Sequence, residues 1–246
     1  MRSRYPSASN FAYSFGPGPL TPAIRALIAV NVGAFFLSAL VPAVTRRLGL
    51  APGDVFGGAA LWQPVTYMFL HGGIFHILFN MLALWMFGVE LERKWGTRYF
   101  TKYYFVSGIG AAATTLLLSW LPGSFGESLY DSLTIGASGA VYGVLLAYGM
   151  YFPDRPIYMY FLFPIPAKYF VLIMGAISLY SSMSEVGGIA HTTHLGGLLA
   201  GYLYLKGGRM QPLAELRYRY LKWQINRSRK RFDVYPGGRD VNRRVH

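Results

Sequence analysis

The amino-acid sequence predicts an all-α, polytopic membrane protein, a bundle of six transmembrane helices. Its 246 residues are 53% hydrophobic and only 13% charged, and the mean hydropathy is +0.32. Soluble domains usually carry about 25% charged residues, so an apolar chain with so little charge is typical of a membrane protein. The chain has no cysteine, which excludes disulfide bonds and cysteine-ligated metals.

Six apolar segments account for most of the chain, at about residues 23–43, 74–91, 99–121, 136–153, 168–183 and 188–206. A spanning helix needs ~20 apolar residues, with a range of ~17–25, and several of these segments are near the short limit. We therefore expect a cytoplasmic N-terminal segment 1–22, a six-helix domain 23–206 and a basic cytoplasmic tail 207–246. Prolines between 153 and 166 should break any helix there.

Positive charge is unevenly distributed along the sequence. The net charge is +13, and 12 of the 23 Lys and Arg residues lie from Lys206 onward. Such a tail after an apolar chain is more typical of a cytoplasmic flank than of a nucleic-acid-binding arm. With the N-terminus inside, 21 of the 23 basic residues fall in inner segments, and only Arg46 and Arg47 lie outside. The positive-inside rule therefore predicts that both termini are cytoplasmic.

Few strongly polar side chains interrupt the apolar segments, and they are candidates for function because lipid makes them costly. They occur in the second, fourth and sixth segments: His76, Asn80, Ser138, His191 and His194. All three segments run from the outside to the inside. His76, Asn80, Ser138 and His194 occupy early turns and should therefore lie at similar depth near the outer face.

Small residues accompany the serine and the histidine. Five glycines flank them at helical spacing: Gly136, Gly139 and Gly143 around Ser138, and Gly197 and Gly201 after His194. Glycine faces let membrane helices approach closely, as a serine–histidine pair at ~2.6–3.2 Å requires. Tyr142 shares a helix face with Ser138, as Asn80 does with His76.

Each of these residues also has a structural interpretation. A serine between glycines is usually a packing residue, a lone histidine is usually a satisfied core residue, and Asn80 can hydrogen-bond between helices. The spacing of His191 and His194 is H-x-x-H without the Glu of a zinc protease. We therefore expect no metal and no other cofactor. Paired charges at mid-membrane would favour a channel or transporter, and the sequence lacks them.

Four motifs together resemble those of the rhomboid family of intramembrane serine proteases. They are the GxSG-like Gly136-Ala137-Ser138-Gly139, the helix His194-Leu195-Gly196-Gly197 with Gly201, the HxxxN-like His76–Asn80 preceded by His71, and Glu90-Leu91-Glu92-Arg93 followed by Gly96. The similarity extends over roughly residues 20–206. One position departs from it, because many relatives carry Trp-Arg in the first outer loop, where this chain has Trp62-Gln63.

The resemblance implies an endopeptidase that cleaves transmembrane proteins near the outer face. Ser138 then matches the nucleophile and His194 the general base, while His76 and Asn80 line the oxyanion site together with the Ser138 backbone N–H. Tyr142 matches an aromatic residue that packs on the catalytic imidazole. The packing of the helices is supported by Gly136, Gly139, Gly197 and Gly201. His191 matches no catalytic position and is interpreted as structural. No acidic residue is placed to orient His194, so a dyad is expected.

The alternative is a non-proteolytic rhomboid-like factor that binds membrane proteins, although such relatives lose the serine or the histidine. The expected partners are transmembrane substrates and the lipid bilayer, with no nucleic acid. Residues 211–231 are predicted to form an amphipathic helix on anionic lipid. We expect a bacterial inner membrane as the location.

Overall fold

The computed structural model describes residues 16–159, 163–182, 188–207, 221–224 and 227. Residues up to 205 form one compact unit, and those from 206 onward form a second. The tail helix expected at 211–231 therefore lies almost entirely outside the described residues.

Six longer helices lie where the apolar segments predict them. Their bounds are α1 Pro22–Leu40, α5 Ile74–Trp95, α6 Thr97–Leu118, α8 Ser138–Tyr151, α9 Ala167–Ser182 and α10 Gly188–Gly207. By length and apolar composition, two of the helices in the described chain can cross a membrane, α1 and α5, while 167–181 is apolar but shorter. The count of six spans stays a prediction.

The connections contain more structure than the sequence suggests. The apolar stretch 44–73 is not a simple loop, because it folds into short helices: α2 Ala43–Leu48, α3 Pro52–Gly58, α4 Gln63–Thr66 and a 3₁₀ turn, Tyr67–Phe69. The connection between α6 and α8 contains α7 Ser124–Tyr130, and a Leu50–Thr134 bridge joins it to the stretch 44–73.

A small antiparallel hairpin interrupts the otherwise helical chain. Its strands are β1 Pro156–Met159 and β2 Phe163–Pro166, with Pro156 opposite Pro166. Prolines cannot donate to a ladder, but they are tolerated on edge strands, and both strands of a two-stranded sheet are edges. The prolines thus prevent a helix, as expected, and the all-α prediction is wrong in this one detail.

Large apolar side chains cover much of the outside of the bundle. Among those more than 60% exposed are Phe36, Leu40, Phe75, Phe79, Leu117 and Leu172. Water-soluble monomers rarely expose contiguous apolar surface on this scale. The exposed residues lie on different long helices, so the pattern fits a bundle surrounded by lipid.

The interior is polar as well as apolar, and two of its buried tyrosines form hydrogen bonds between elements. Tyr67 and Tyr103 are fully buried, and their hydroxyls donate to the carbonyls of Gly108 and Gly143 at 2.7 and 2.6 Å. The first bond ties the 3₁₀ turn to α6, and the second ties α6 to α8. Because unsatisfied polar groups are expensive in a water-free interior, these bonds also fix the position of each helix along its neighbour.

A buried carboxylate joins the start of α1 to the end of α5. Glu92 is only 2% exposed and accepts hydrogen bonds from the backbone N–H groups of Ala23 and Ile24 at 2.9 and 3.1 Å. It also accepts from the hydroxyls of Thr21 and Thr97. The first N–H groups of a helix have no intrahelical acceptor, so Glu92 satisfies those of α1 from a different helix.

Replacement of Glu92 by alanine should therefore destabilise the bundle. We expect Glu92→Ala to lower the free energy of unfolding by at least ~2 kcal/mol, since buried donors lose a charged acceptor. The measurement is detergent-phase unfolding followed by circular dichroism. Glu127→Ala, an exposed position on α7, is the matched control and should change stability by less than ~0.5 kcal/mol. Equal effects of the two changes would contradict the capping role.

Candidate active site

The segment before α8 places Ser138 at the first position of that helix. Gly136 has φ +127°, a conformation that side chains disfavour, and its N–H donates to the Tyr67 carbonyl at 2.9 Å. A Cβ at this glycine would lie 2.8 Å from Nε2 of His76. Gly136 therefore lets the chain turn sharply into α8 while it makes room for the His76 ring.

Ser138 and His194 lie within hydrogen-bonding distance although 56 positions separate them in the chain. The serine Oγ is 2.8 Å from Nε2 of the histidine. The ring of Tyr142, one turn after Ser138, stacks on the imidazole with a centroid distance of 4.3 Å and an interplanar angle of 7°. Both members of the pair are half-buried. The structure thus brings together the three residues that the sequence singled out on α8 and α10.

This distance depends on backbone contact between α8 and α10. A Cβ on Gly197 would collide with the carbonyl oxygen of Gly139, and one on Gly201 would lie 3.3 Å from Cα of Gly143. The four glycines therefore form two facing stripes at four-residue spacing. Their lack of side chains is what allows the serine and the histidine to meet.

Helix α6 packs behind both stripes. Gly139 lies against Ala111 and Gly143 against Ser107, while Gly201 lies against the Tyr103 hydroxyl. Each of these α6 residues is fully buried. They follow one another at four-residue spacing, so a single face of α6 supports the paired helices from behind.

Across the site, His76 and Asn80 extend from the first turns of α5. Nδ1 of His76 accepts the Gly72 N–H at 3.3 Å, so a neutral ring carries its proton on Nε2. That nitrogen faces the Gly136 turn and the Ser138 hydroxyl beyond it. The Asn80 amide donates one N–H to the His76 carbonyl at 2.8 Å. A side-chain amide has two N–H groups, so a second remains for a ligand.

Two further histidines flank the group. His71 lies edge-on to His76 with ring centroids 4.9 Å apart. Burial, and then the neighbouring His76, lowers the pKa of His71 to about 4, so this ring is neutral at physiological pH. His191 lies edge-on to His194 at 5.5 Å. In the part of the chain that the structure describes, no group of three His, Cys, Asp or Glu side chains is placed to hold a metal.

An apolar cavity of about 470 Å³ opens beside Ser138, between α5, α8 and α9. Its lining includes Asn80, Ser138 and Tyr142 as well as Phe170 and Met174 of α9. Phe87 of α5, also in the lining, is in ring contact with Phe170, with centroids 6.2 Å apart. The cavity therefore leads from the Ser138 hydroxyl to the seam between α5 and α9.

Sequence reasoning missed three supporting contacts. Tyr67 holds the Gly136 turn, yet nothing distinguishes it in sequence among 19 tyrosines. Hydroxyls of Thr115 and Thr193 lie 2.8 Å apart and join α6 to α10 beside His194. The sequence offered one signal for the Thr115–Thr193 pair, namely Thr193 on a glycine-rich helix face. It offered no signal for Tyr67.

The third missed contact is made by Gln63. Its side-chain oxygen accepts the Ala51 N–H at 2.9 Å, and its nitrogen lies 3.4 Å from the Asp54 carboxylate. Trp62 next to it donates to the Arg47 carbonyl at 2.9 Å. Gln63 is 1% exposed, so a buried glutamine joins α4 to the start of α3.

A methyl group at the helix contact should push α8 and α10 apart. We expect Gly197→Ala to lower the free energy of unfolding by ~1–3 kcal/mol, the usual cost of overpacking. Gly33→Ala is the matched control, because no atom lies within 4 Å of a Cβ at that position on α1. Thermal unfolding of the two purified variants checks this. Equal stability of Gly197→Ala and the parent would contradict backbone contact at this position.

Comparison with known proteins extends these observations. A Rhomboid domain model matches residues 58–209. The mitochondrial Rhomboid protein 1 of Saccharomyces cerevisiae is 32% identical over 138 residues, which cover 55% of this chain and 38% of the yeast protein. Rhomboid protease GluP of Bacillus subtilis is 29% identical over 180 residues, 71% of this chain and 32% of that protein.

RHOMBOID-like protein 5 of Arabidopsis thaliana is 28% identical over 157 residues, 64% of this chain and 47% of the plant protein. The matches thus cover less than half of each relative's length. The relatives include mitochondrial, plant and bacterial proteins, so they do not assign one kind of membrane to this chain. Since the domain model covers more than half of its residues, the chain belongs to the rhomboid family of integral membrane proteins.

Proposed function

We propose that this protein is an intramembrane serine endopeptidase that cleaves transmembrane proteins near the outer face of the membrane. The observation that carries the proposal is the 2.8 Å distance between Ser138 Oγ and His194 Nε2. A serine hydroxyl is a weak nucleophile, and a base at this distance is what activates it. The name of the Bacillus subtilis relative, a rhomboid protease, supports the same reaction.

In the proposed reaction, Ser138 Oγ forms a bond to the substrate carbonyl carbon as its proton passes to His194 Nε2. The carbonyl electron pair moves to the oxygen. Collapse of this intermediate breaks the C–N bond, and His194 gives the proton to the departing amine. Water then attacks the acyl-enzyme with His194 again as the base, which frees the acid product and restores the hydroxyl of Ser138.

In this proposal, packing contacts orient the base His194, and Ser138 and His194 act as a dyad. Within the residues that the structure describes, Nδ1 of His194 has no hydrogen-bond partner. The stacked Tyr142 ring covers one face of the imidazole, and the His191 ring meets it edge-on. These contacts restrict rotation of the His194 imidazole. In a catalytic triad, the acidic residue has this role.

Three N–H donors are available for the developing oxyanion. One is the Ser138 backbone N–H in the first turn of α8, where helix N–H groups lack intrahelical acceptors and the dipole favours negative charge. The others are Nε2–H of His76 and the second amide N–H of Asn80, both inferred from the bonds that their other atoms make.

The cavity beside Ser138 supports lateral entry of the substrate. Its lining is almost entirely apolar, and it reaches the seam between α5 and α9. A transmembrane segment can leave lipid for such a cavity without exposing apolar side chains to water. The α9 residues Phe170 and Met174 then contact the substrate, so α9 is the side through which entry is proposed.

Loss of either member of the dyad should abolish cleavage. We expect Ser138→Ala and His194→Ala to reduce hydrolysis of a model transmembrane substrate by at least ~10³-fold, because a unit of two residues fails when either is removed. The assay uses the purified full-length protein in liposomes. Ser132→Ala is the matched control, since this hydroxyl donates to the Leu129 carbonyl away from the site. Parental cleavage by Ser138→Ala would exclude the mechanism.

A fluorophosphonate probe distinguishes an enzyme from the non-proteolytic alternative without a natural substrate. Labelling of the parent and of Ser132→Ala, with none of Ser138→Ala, indicates an activated serine. Absence of labelling in the folded parent, together with absence of cleavage, would favour a binding factor.

The oxyanion donors should affect turnover more than substrate binding. We expect His76→Ala and Asn80→Ala each to lower kcat by ~10²–10³-fold, the usual cost of one such donor, with KM changed far less. Leu78→Ala, an exposed position on the same helix, should leave kcat unchanged. A change confined to KM in both variants would contradict the assignment.

A further inference from the structure

A second cavity, of about 450 Å³, lies at the end of the bundle opposite to Ser138. Its lining residues are Glu90, Arg93, Lys94, Phe152 and Arg155. Ser138 begins α8, and Phe152 directly follows its 14 residues, so the two sites are about 20 Å apart along the helix. The site described above leaves this second cavity unused.

The cavity has an excess of positive charge. It is lined by three basic side chains and one carboxylate. Arg155 pairs with Glu90 at 2.8 Å, and Arg93 donates to the carbonyls of Pro17 and Pro19. Lys94 has no acidic partner among the residues that the structure describes. Two positive charges therefore remain without a counter-ion in a concave site.

The Phe152 ring lies beside two of the three basic side chains, Lys94 and Arg155. The Lys94 ammonium lies 5.7 Å and the Arg155 guanidinium 5.4 Å from the centre of the Phe152 ring, and Lys94 is also 5.6 Å from the Tyr151 ring. Such contacts are favourable, but they do not neutralise charge. Arg155 has Glu90 as its partner, whereas the charges of Arg93 and Lys94 stay unbalanced, so an anion beside those two residues would lower the energy of the site.

The helix ends do not fully explain the basic residues. Arg93 and Lys94 belong to the last turn of α5, where the helix dipole favours cations. Arg155 lies outside any helix, after α8, and nevertheless faces the same cavity. Basic residues from two separate elements thus converge on one space, which is far larger than the ~30 Å³ of a water molecule.

The aromatic residues next to this cavity are of the kinds found at the level of lipid head groups. Trp95 is in ring contact with Tyr99, Tyr103 and Tyr151 at centroid distances of 5.1–5.2 Å, and Tyr99 is in contact with Tyr204. Tryptophan and tyrosine concentrate where the membrane meets water. The phosphate of a phospholipid is an abundant anionic group at this depth, and basic pockets at this level are suited to it.

We propose that the cavity formed by Glu90, Arg93, Lys94, Phe152 and Arg155 binds the phosphate of an anionic phospholipid. Arg93 and Lys94, the two cations without a counter-ion, contact the phosphate oxygens, and the Phe152 ring positions the Lys94 ammonium. Glu90 opposes binding because it is the one negative charge in the lining. The proposal concerns described residues of the helical unit, is separate from the predicted lipid contact of the tail, and does not depend on proteolysis.

Native mass spectrometry of the full-length protein, delipidated in a neutral detergent, tests this inference. The protein is titrated with phosphatidylglycerol and with phosphatidylcholine of the same acyl chains. We expect one phosphatidylglycerol to bind more tightly than phosphatidylcholine. Lys94→Gln should weaken that site about fivefold, which corresponds to ~1 kcal/mol per basic residue near an anionic surface.

Charge variants separate a local effect from loss of folding. Glu90→Gln should bind phosphatidylglycerol more tightly than the parent, an outcome that misfolding does not produce. Arg46→Gln removes the same charge from an exposed position on α2, and its affinity should equal the parent's. Equal affinity for the two lipids, or parental affinity in both Lys94→Gln and Glu90→Gln, would overturn the proposal.

Inorganic phosphate distinguishes a lipid site from a site for the free ion. We expect millimolar phosphate to leave the bound phosphatidylglycerol in place, because the acyl chains contribute to lipid binding. If phosphate alone displaces the lipid and binds equally well, the site is for a soluble anion and the lipid assignment is wrong.

Discussion

Contact between the backbones of Gly139 and Gly197 is the constraint on which the remainder of the site depends. No side chain fits between these two residues, so α8 and α10 approach to the limit that backbone atoms allow. Only at this separation can a short serine side chain on one helix reach an imidazole on the other. The face of α6 behind them is built from small or hydroxylated residues for the same reason, and it keeps both helices in place.

Hydrogen bonds in the interior give this packing its register. The Tyr67 and Tyr103 hydroxyls donate to backbone carbonyls of neighbouring helices, and the Tyr67 carbonyl holds the turn at Gly136. Because lipid supplies no alternative partners, sliding one helix along another would leave these groups unsatisfied. The geometry around Ser138 is therefore maintained by residues that take no part in the chemistry.

The two ends of α5 have different chemistry, and the helix connects them rigidly. Its first turns carry His76 and Asn80 beside Ser138, whereas its last turns carry Glu92 in the interior and Arg93 and Lys94 at the basic cavity. A lipid bound at the second end would contact both α5 and the segment that follows α8. Helices α5 and α8 also line the cavity beside Ser138.

Composition, apolar segments and motif spacing were enough to predict the long helices and to select Ser138, His194, His76, Asn80 and Tyr142. That selection has a physical basis, since polar residues are rare in lipid-facing segments and glycines at four-residue spacing mark close helix contacts. The short helices at 43–66, the hairpin and the supporting contacts of Tyr67, Gln63 and Thr115 could not be predicted. Those features depend on partners distant in the chain, such as the Gly108 carbonyl for Tyr67 and the Ala51 N–H for Gln63. The basic cavity likewise joins α5 to a residue beyond α8, and one-dimensional charge counting assigned these residues only to the inner side of the membrane.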